Sequence, residues 1–191
     1  MKKTALVILS FLLGLSCSVM AQETFSEFKI LTYNIYHGEN PDSLGVPNLD
    51  NIANLIILLQ PEVVALQEVD SMTTRLESIY GKKIDWVAEL GKKTGYRSYF
   101  ADSLPNPAFF VGDLNFDPSS EAYQSINSKW SDAGYIANDD TPTFNSPEGK
   151  RIDYVWFDSE HFELVKYQVI DVPFSDHYPV LVTLRLIKPY K

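Results

Sequence analysis

Apolar side chains fall into two rhythms along this chain. Residues 28–36 are rich in apolar and β-forming side chains and predict a strand, whereas residues 49–59 form a strongly apolar helical stretch stopped by Pro61. Residues 63–66, Val-Val-Ala-Leu, are a nearly continuous apolar run of strand length, as in a sheet covered on both faces. Strand, helix and strand in close succession predict a βαβ unit. Further along, the pattern predicts a helix over 83–93 ending at Gly95, strands over 96–100 and 108–111, and a helix over 119–130 capped by Ser119 or Ser120. Three more strands, over 151–157, 162–169 and 178–186, carry β-branched and aromatic residues between turn formers. Residues 138–150, with their prolines and asparagines, read as a long connecting loop.

The N-terminus follows a different logic. Lys2 and Lys3 precede an apolar run over 5–15 that is short for a membrane span, and Val19-Met20-Ala21 offers small residues for cleavage. Residues 1–21 therefore read as a signal peptide, leaving 22–191 as one secreted or periplasmic domain. A second reading makes Cys17 a lipidated N-terminus behind Gly14-Leu15-Ser16, although a lipoprotein signal wants its large apolar residue one position earlier. Cys17 is the only cysteine, so cleavage after Ala21 removes thiol chemistry and disulfides altogether. With 45% hydrophobic and 21% charged residues, disorder and coiled coil are excluded as descriptions of the whole chain. Sixteen Lys and Arg against 25 Asp and Glu give a net charge of −9, which excludes a broad positive field for nucleic acid.

Candidate chemistry gathers where the strands end, which is where α/β proteins place their sites. Asn34 closes the first strand and Glu68 the second, and a right-handed parallel crossover brings both to one rim. Asp113 and Asn115 follow the strand over 108–111, two residues apart and hence on one face by strand alternation. Asp153 opens the strand over 151–157, and Asp176-His177 stands just before the last strand. Glu68, Asp113 and Asp176 are hard oxygen ligands, which favours Mg²⁺, Mn²⁺ or Ca²⁺ over zinc. Each residue alone also has a plainer reading. Glu68 would serve as a solvated carboxylate, Asn34 as a turn former, Asp113 and Asn115 as a turn before a helix, Asp153 as a surface partner of Arg151 or Lys150, and His177 as a structural histidine.

Five segments occur together in one order: Leu31-Thr-Tyr-Asn-Ile, Leu66-Gln-Glu-Val, Gly112-Asp-Leu-Asn, Arg151-Ile-Asp-Tyr and Ser175-Asp-His-Tyr-Pro. In this order they resemble the endonuclease/exonuclease/phosphatase superfamily with its deoxyribonuclease-I-like fold. The resemblance implies an α+β architecture, an αββα sandwich of two packed sheets flanked by helices, and a divalent-metal-dependent phosphodiester or phosphomonoester hydrolase. By the same resemblance Glu68 is the principal metal ligand with Asn34 beside it, and Asp176 lies at or near the metal. Asp113 and Asn115 orient the attacking water and hold a phosphate oxygen, His177 is the catalytic histidine, and Asp153 orients it. The implied cofactor is Mg²⁺, and the implied substrate is a nucleic acid, a phospholipid head group, or an inositol or sugar phosphate.

One part of that pattern is missing. Only residues 101–107 join the strand over 96–100 to that over 108–111, where family members place several strands and a Thr-His-Leu-type segment whose histidine meets the phosphate. A link this short suits a tight reversal rather than a parallel crossover, so the first sheet is expected to be reduced. His37 and His161 are the remaining histidines after the signal peptide. His37, just past Asn34, could face the site from another direction. The expectation is weak turnover, and the alternative is a catalytically inactive relic or binding module that keeps the fold.

Overall fold

The computed structural model describes residues 26–98 and 109–188. The expected export segment and the 101–107 link lie outside the described residues. Strand β1 (Glu27–Asn34) is followed by a short hairpin, β2 (Glu39–Asn40) and β3 (Ser43–Pro47), and then by helix α1 (Leu49–Leu59) and strand β4 (Val63–Gln67). Helices α2 (Thr74–Tyr80) and α3 (Trp86–Thr94) come next, then β5 (Phe109–Asp113), α4 (Glu121–Asn127), β6 (Ser131–Asp132) and α5 (Ala133–Ala137). The chain closes with β7 (Asp153–Phe157), β8 (Phe162–Val169) and β9 (Val180–Leu186).

Local chemistry explains the boundaries that matter for the site. Helix α1 buries Leu49, Ile52, Ala53 and Ile56, an i, i+3, i+4, i+7 stripe, and ends where Gln60 turns left-handed (φ 50) ahead of Pro61. Helix α3 begins three residues later than the pattern predicts, because the Asp85 side chain accepts the Ala88 N–H and caps it there. The expected strand over 96–100 is not formed in its described part: residues 96–98 follow the helix as irregular chain.

Apart from the two-stranded β2–β3 hairpin, the described strands build two sheets. One has the order β4-β1-β9-β8 and the other β5-β7-β6. The β1–β4 pair is parallel, as the βαβ reading requires, and the remaining pairs in these sheets are antiparallel. Strand alternation then sorts the side chains into layers. From β1 and β9, Ile30, Val180, Val182 and Leu184 face the second sheet, where Val155, Phe157, Phe109 and Val111 meet them. On the outer side of the first sheet, Leu31 and Tyr33 pack under α1, α2 and α3 through Ile52, Leu76, Trp86 and Leu90. On the outer side of the second, Tyr154 and Trp156 pack against Phe110 and Tyr123 of α4. Three apolar layers between four structural ones make the αββα sandwich that the motifs implied. Among the described residues β4 and β5 end their sheets, and they stack across the sandwich where Gly112, at φ +150, faces Gln67.

Candidate active site

The same alternation places the polar residues. Ile30, Thr32 and Asn34 share the inward face of β1, and Val111 and Asp113 that of β5. Asp153, Val155 and Phe157 share the inward face of β7. At one rim the apolar inward positions give way to Asn34, Asp113 and Asp153, with Asp113 directly opposite Asp153 in the β5–β7 register. The rim thus exchanges the sandwich core for a polar cluster without changing the fold.

Glu68 stands one residue past β4, in a left-handed conformation (φ 52), and accepts from Asn34 Nδ2 at 2.9 Å. Asn34 Nδ2 also donates to Asp113 Oδ2 at 3.1 Å, so this one amide ties the two sheets together. Asn34 is buried and rigidly held: its Oδ1 accepts the Tyr36 N–H, and its backbone carbonyl accepts the Ser175 hydroxyl at 2.8 Å. Asn115 does meet Asp113, but not by strand alternation. It lies beyond the strand end in a left-handed turn (φ 54), where its backbone N–H donates to Asp113 Oδ1 and its amide to Oδ2.

His177 and Asp153 form a buried pair, with Nδ1 2.8 Å from Asp153 Oδ2 and Nε2 3.8 Å from Asp113 Oδ2. The plainer reading of Asp153 as a surface partner of Arg151 or Lys150 is overturned. Arg151 instead pairs with Asp132 at 2.8 Å, inside the protein. Thr143, in the long loop, fixes the Asp153 backbone by accepting the N–H groups of Ile152 and Asp153, and the Phe144 ring packs on the His177 imidazole. Nothing in the composition of that loop announced these two supports. Asp176 reaches the cluster only indirectly, through the Ser175 hydroxyl at 3.2 Å.

Burial alone would lower the His177 pKa, but the hydrogen bond and charge of Asp153, aided by Asp113 and Asp176, outweigh it and raise the imidazole above its ordinary value. Burial likewise holds the Asp153 carboxyl above the usual carboxylate range, against the opposing pull of His177. Because the folded His177 value is raised, its charged form adds stability that is fully present below the ordinary imidazole pKa and disappears as pH rises through the higher folded value. In metal-free protein, an NMR titration is expected to place His177 above a free histidine and to lower it in Asp153→Asn. An unchanged midpoint in that variant would show that the pair does not govern the imidazole.

Among the described residues, one group has ligand atoms all within 4.8 Å of one another: Asp113, Asp153 and His177. Glu68 and Asp176 fall outside that group. Glu68 is joined to it through Asn34. The donor set suits a hard divalent cation, since carboxylate oxygens dominate it. The ion pairs that Glu68 and Asp113 make among the described residues are with imidazoles, not with lysine or arginine.

Comparisons with known proteins agree with this architecture. The endonuclease/exonuclease/phosphatase family model matches residues 31–177, from within β1 to His177. The chain belongs to this family, whose members act on phosphate esters and generally use divalent metals. Similar solved structures include an endonuclease/exonuclease/phosphatase from Beutenbergia cavernae, 19% identical with a TM-score of 0.55, covering 84% of this chain and 72% of the other. A family protein from Bacteroides thetaiotaomicron is 15% identical with a TM-score of 0.62, covering 85% and 98%. One from Bacteroides vulgatus is 15% identical with a TM-score of 0.56, covering 84% and 99%. At these identities the likeness is one of fold. No protein with a curated description matches the chain.

Proposed function

We propose that this protein is an exported, divalent-metal-dependent phosphoric ester hydrolase of low turnover. The observation that carries the reading is the continuous hydrogen-bonded chain Glu68–Asn34–Asp113 beside the buried His177–Asp153 pair, at one rim of the sandwich. In the metal-bound protein Glu68 and Asn34, with Asp176 and Asp113 nearby, would hold Mg²⁺ or a similar ion. When bound, that ion supplies positive charge to the phosphate oxygens and to the leaving oxygen.

The chain's own groups supply the rest. Asp113, held by Asn34 and Asn115, is the carboxylate placed to orient an attacking water, and Asn115 offers an amide to a phosphate oxygen. As the new P–O bond forms from water, the P–O bond to the leaving group breaks. His177, fixed through Nδ1 by Asp153, presents Nε2 toward Asp113 and takes the proton that the attacking water loses, while the leaving oxygen gains its proton from solvent. Phosphodiesters of nucleic acids, phospholipid head groups, and inositol or sugar phosphates share this chemistry. Among the described residues no helix is long and apolar enough to cross a membrane.

Low turnover is the expectation from the short 101–107 link, because a reduced first sheet would hold the remaining groups less firmly, and misplacing a reacting group by about 1 Å can cost roughly 10² in rate. The relic reading shares that observation but predicts no turnover at all. Metal binding is tested by melting. Mg²⁺ should raise the melting temperature of the wild type by mass action, since the ion binds the folded cluster, and Glu68→Gln should lose most of the shift. Identical shifts in both proteins would remove Glu68 from the metal site.

A further inference from the structure

The turn after β1 carries more than a chain reversal needs. Tyr36 (φ 46), His37 (φ 58) and Gly38 (φ 75) are three consecutive left-handed residues, and the first two have side chains that disfavour this conformation. The surroundings over-determine it. Ile35 donates to the Gln67 carbonyl, Gly38 donates back to Ile35 and accepts from Asn48, and a Cβ on Gly38 would come within 2.9 Å of Leu49 Cδ2. Non-glycine backbone held this way marks a place where the side chain's position matters.

The side chain so placed is His37. Its Nε2 lies 3.4 Å from Glu68 Oε2 and its Nδ1 3.8 Å from Asp70 Oδ2, so both ring nitrogens face carboxylates. Asp70 is itself positioned from behind. Arg75 holds it at 3.0 Å, and the fully buried Glu39 holds Arg75 at 2.9 Å. A row of three charged groups thus ends on one imidazole that is about one-third exposed, on the Glu68 side of the cluster, whereas His177 is buried on the Asp153 side.

Resting on the hydrolase reading above, we propose that His37 is a second substrate-contacting imidazole, which donates from Nε2 to a non-bridging oxygen of the phosphate group. A cation on Glu68 would draw Oε2 away from His37 and leave the Nε2–H unpaired at the mouth of the site. Its replacement acceptor would then be an oxyanion bound beside that cation. The Glu39–Arg75–Asp70 row keeps the ring aimed while that exchange occurs.

The probe is inorganic phosphate, titrated calorimetrically into purified protein in mildly acidic buffer containing saturating Mn²⁺, with the Mn²⁺ melting shift measured separately. His37→Ala should weaken phosphate binding about tenfold or more while leaving the Mn²⁺ shift nearly intact. His37→Gln, which retains an N–H near the Nε2 position, should recover part of the loss. Unchanged phosphate affinity in His37→Ala, or a loss of the Mn²⁺ shift equal to the loss of phosphate affinity, would overturn the assignment to His37 and leave the hydrolase reading standing. Failure of the wild type to bind phosphate in the presence of Mn²⁺ would count against both.

Discussion

Replacing His177 by alanine is expected to lower metal-dependent hydrolysis of bis(p-nitrophenyl) phosphate by about 10² to 10⁴, the range that a positioned proton-transfer group supplies. The imidazole is nearly inaccessible, its Nδ1 is committed to Asp153, and its ring is braced by Phe144, so no water of similar basicity can take its place. The Mg²⁺ melting shift should survive the substitution, because Glu68 and Asn34 remain. A His177→Ala rate within a factor of two of wild type would remove this residue from the chemistry. Asp153→Asn should also slow the reaction, and its effect should not add to that of His177→Ala, because both residues act as one unit.

The second large effect is on stability. Arg151 and Asp132 are almost completely buried, with Nη1 2.8 Å from Oδ2, and Arg151 also lies over the Tyr154 ring, 4.9 Å from its centroid. Asp132 further accepts the Tyr123 hydroxyl and the Gly134 N–H that starts α5. Asp132→Ala leaves a guanidinium inside the protein with only the exposed Asp140 carboxylate, 3.5 Å from its Nε, to offset it, and should cost about 3–5 kcal/mol in urea unfolding. That is a large share of the roughly 5–15 kcal/mol that such a domain possesses. Replacing both partners with apolar residues of similar volume should restore most of the loss. Because Arg151 stands two residues before Asp153, the single variant should also loosen the histidine pair. An Asp132→Ala protein as stable as wild type would show that the buried charge is compensated elsewhere.

How much of this was legible in the sequence depends on which force set each feature. Helix α1 and strand β8 have the bounds predicted for them, because the apolar and β-forming pattern and the stop at Pro61 are local signals. Asn34, Glu68, Asp113 and Asp153 could be placed at one rim because strand ends and a parallel crossover dictate where residues go. Helix α2, the β2–β3 hairpin and the β6–α5 corner went unpredicted. They are too short to show a period, and they are held by Thr73 and Asp132 caps and by tertiary contacts. Asn115 reached its partner by a left-handed turn that alternation does not describe. The supports of the site were hidden for a similar reason. Thr143, Phe144, Asp70 and Arg75 are ordinary residues in sequence, and only folding brings Phe144 against His177, Thr143 against the Asp153 backbone, Asp70 beside His37 and Arg75 against Asp70. Asp70 alone left a trace, two positions after Glu68 in Gln67-Glu-Val-Asp.

The measurement that bears most directly on this account is hydrolysis by the wild-type protein of bis(p-nitrophenyl) phosphate, plasmid DNA, RNA and sphingomyelin, each with Mg²⁺ and with excess EDTA. The account predicts slow turnover of at least one of these phosphodiesters, abolished by the chelator and restored by added Mg²⁺. Equal rates with Mg²⁺ and with EDTA, or no turnover of any substrate in either condition, would contradict it.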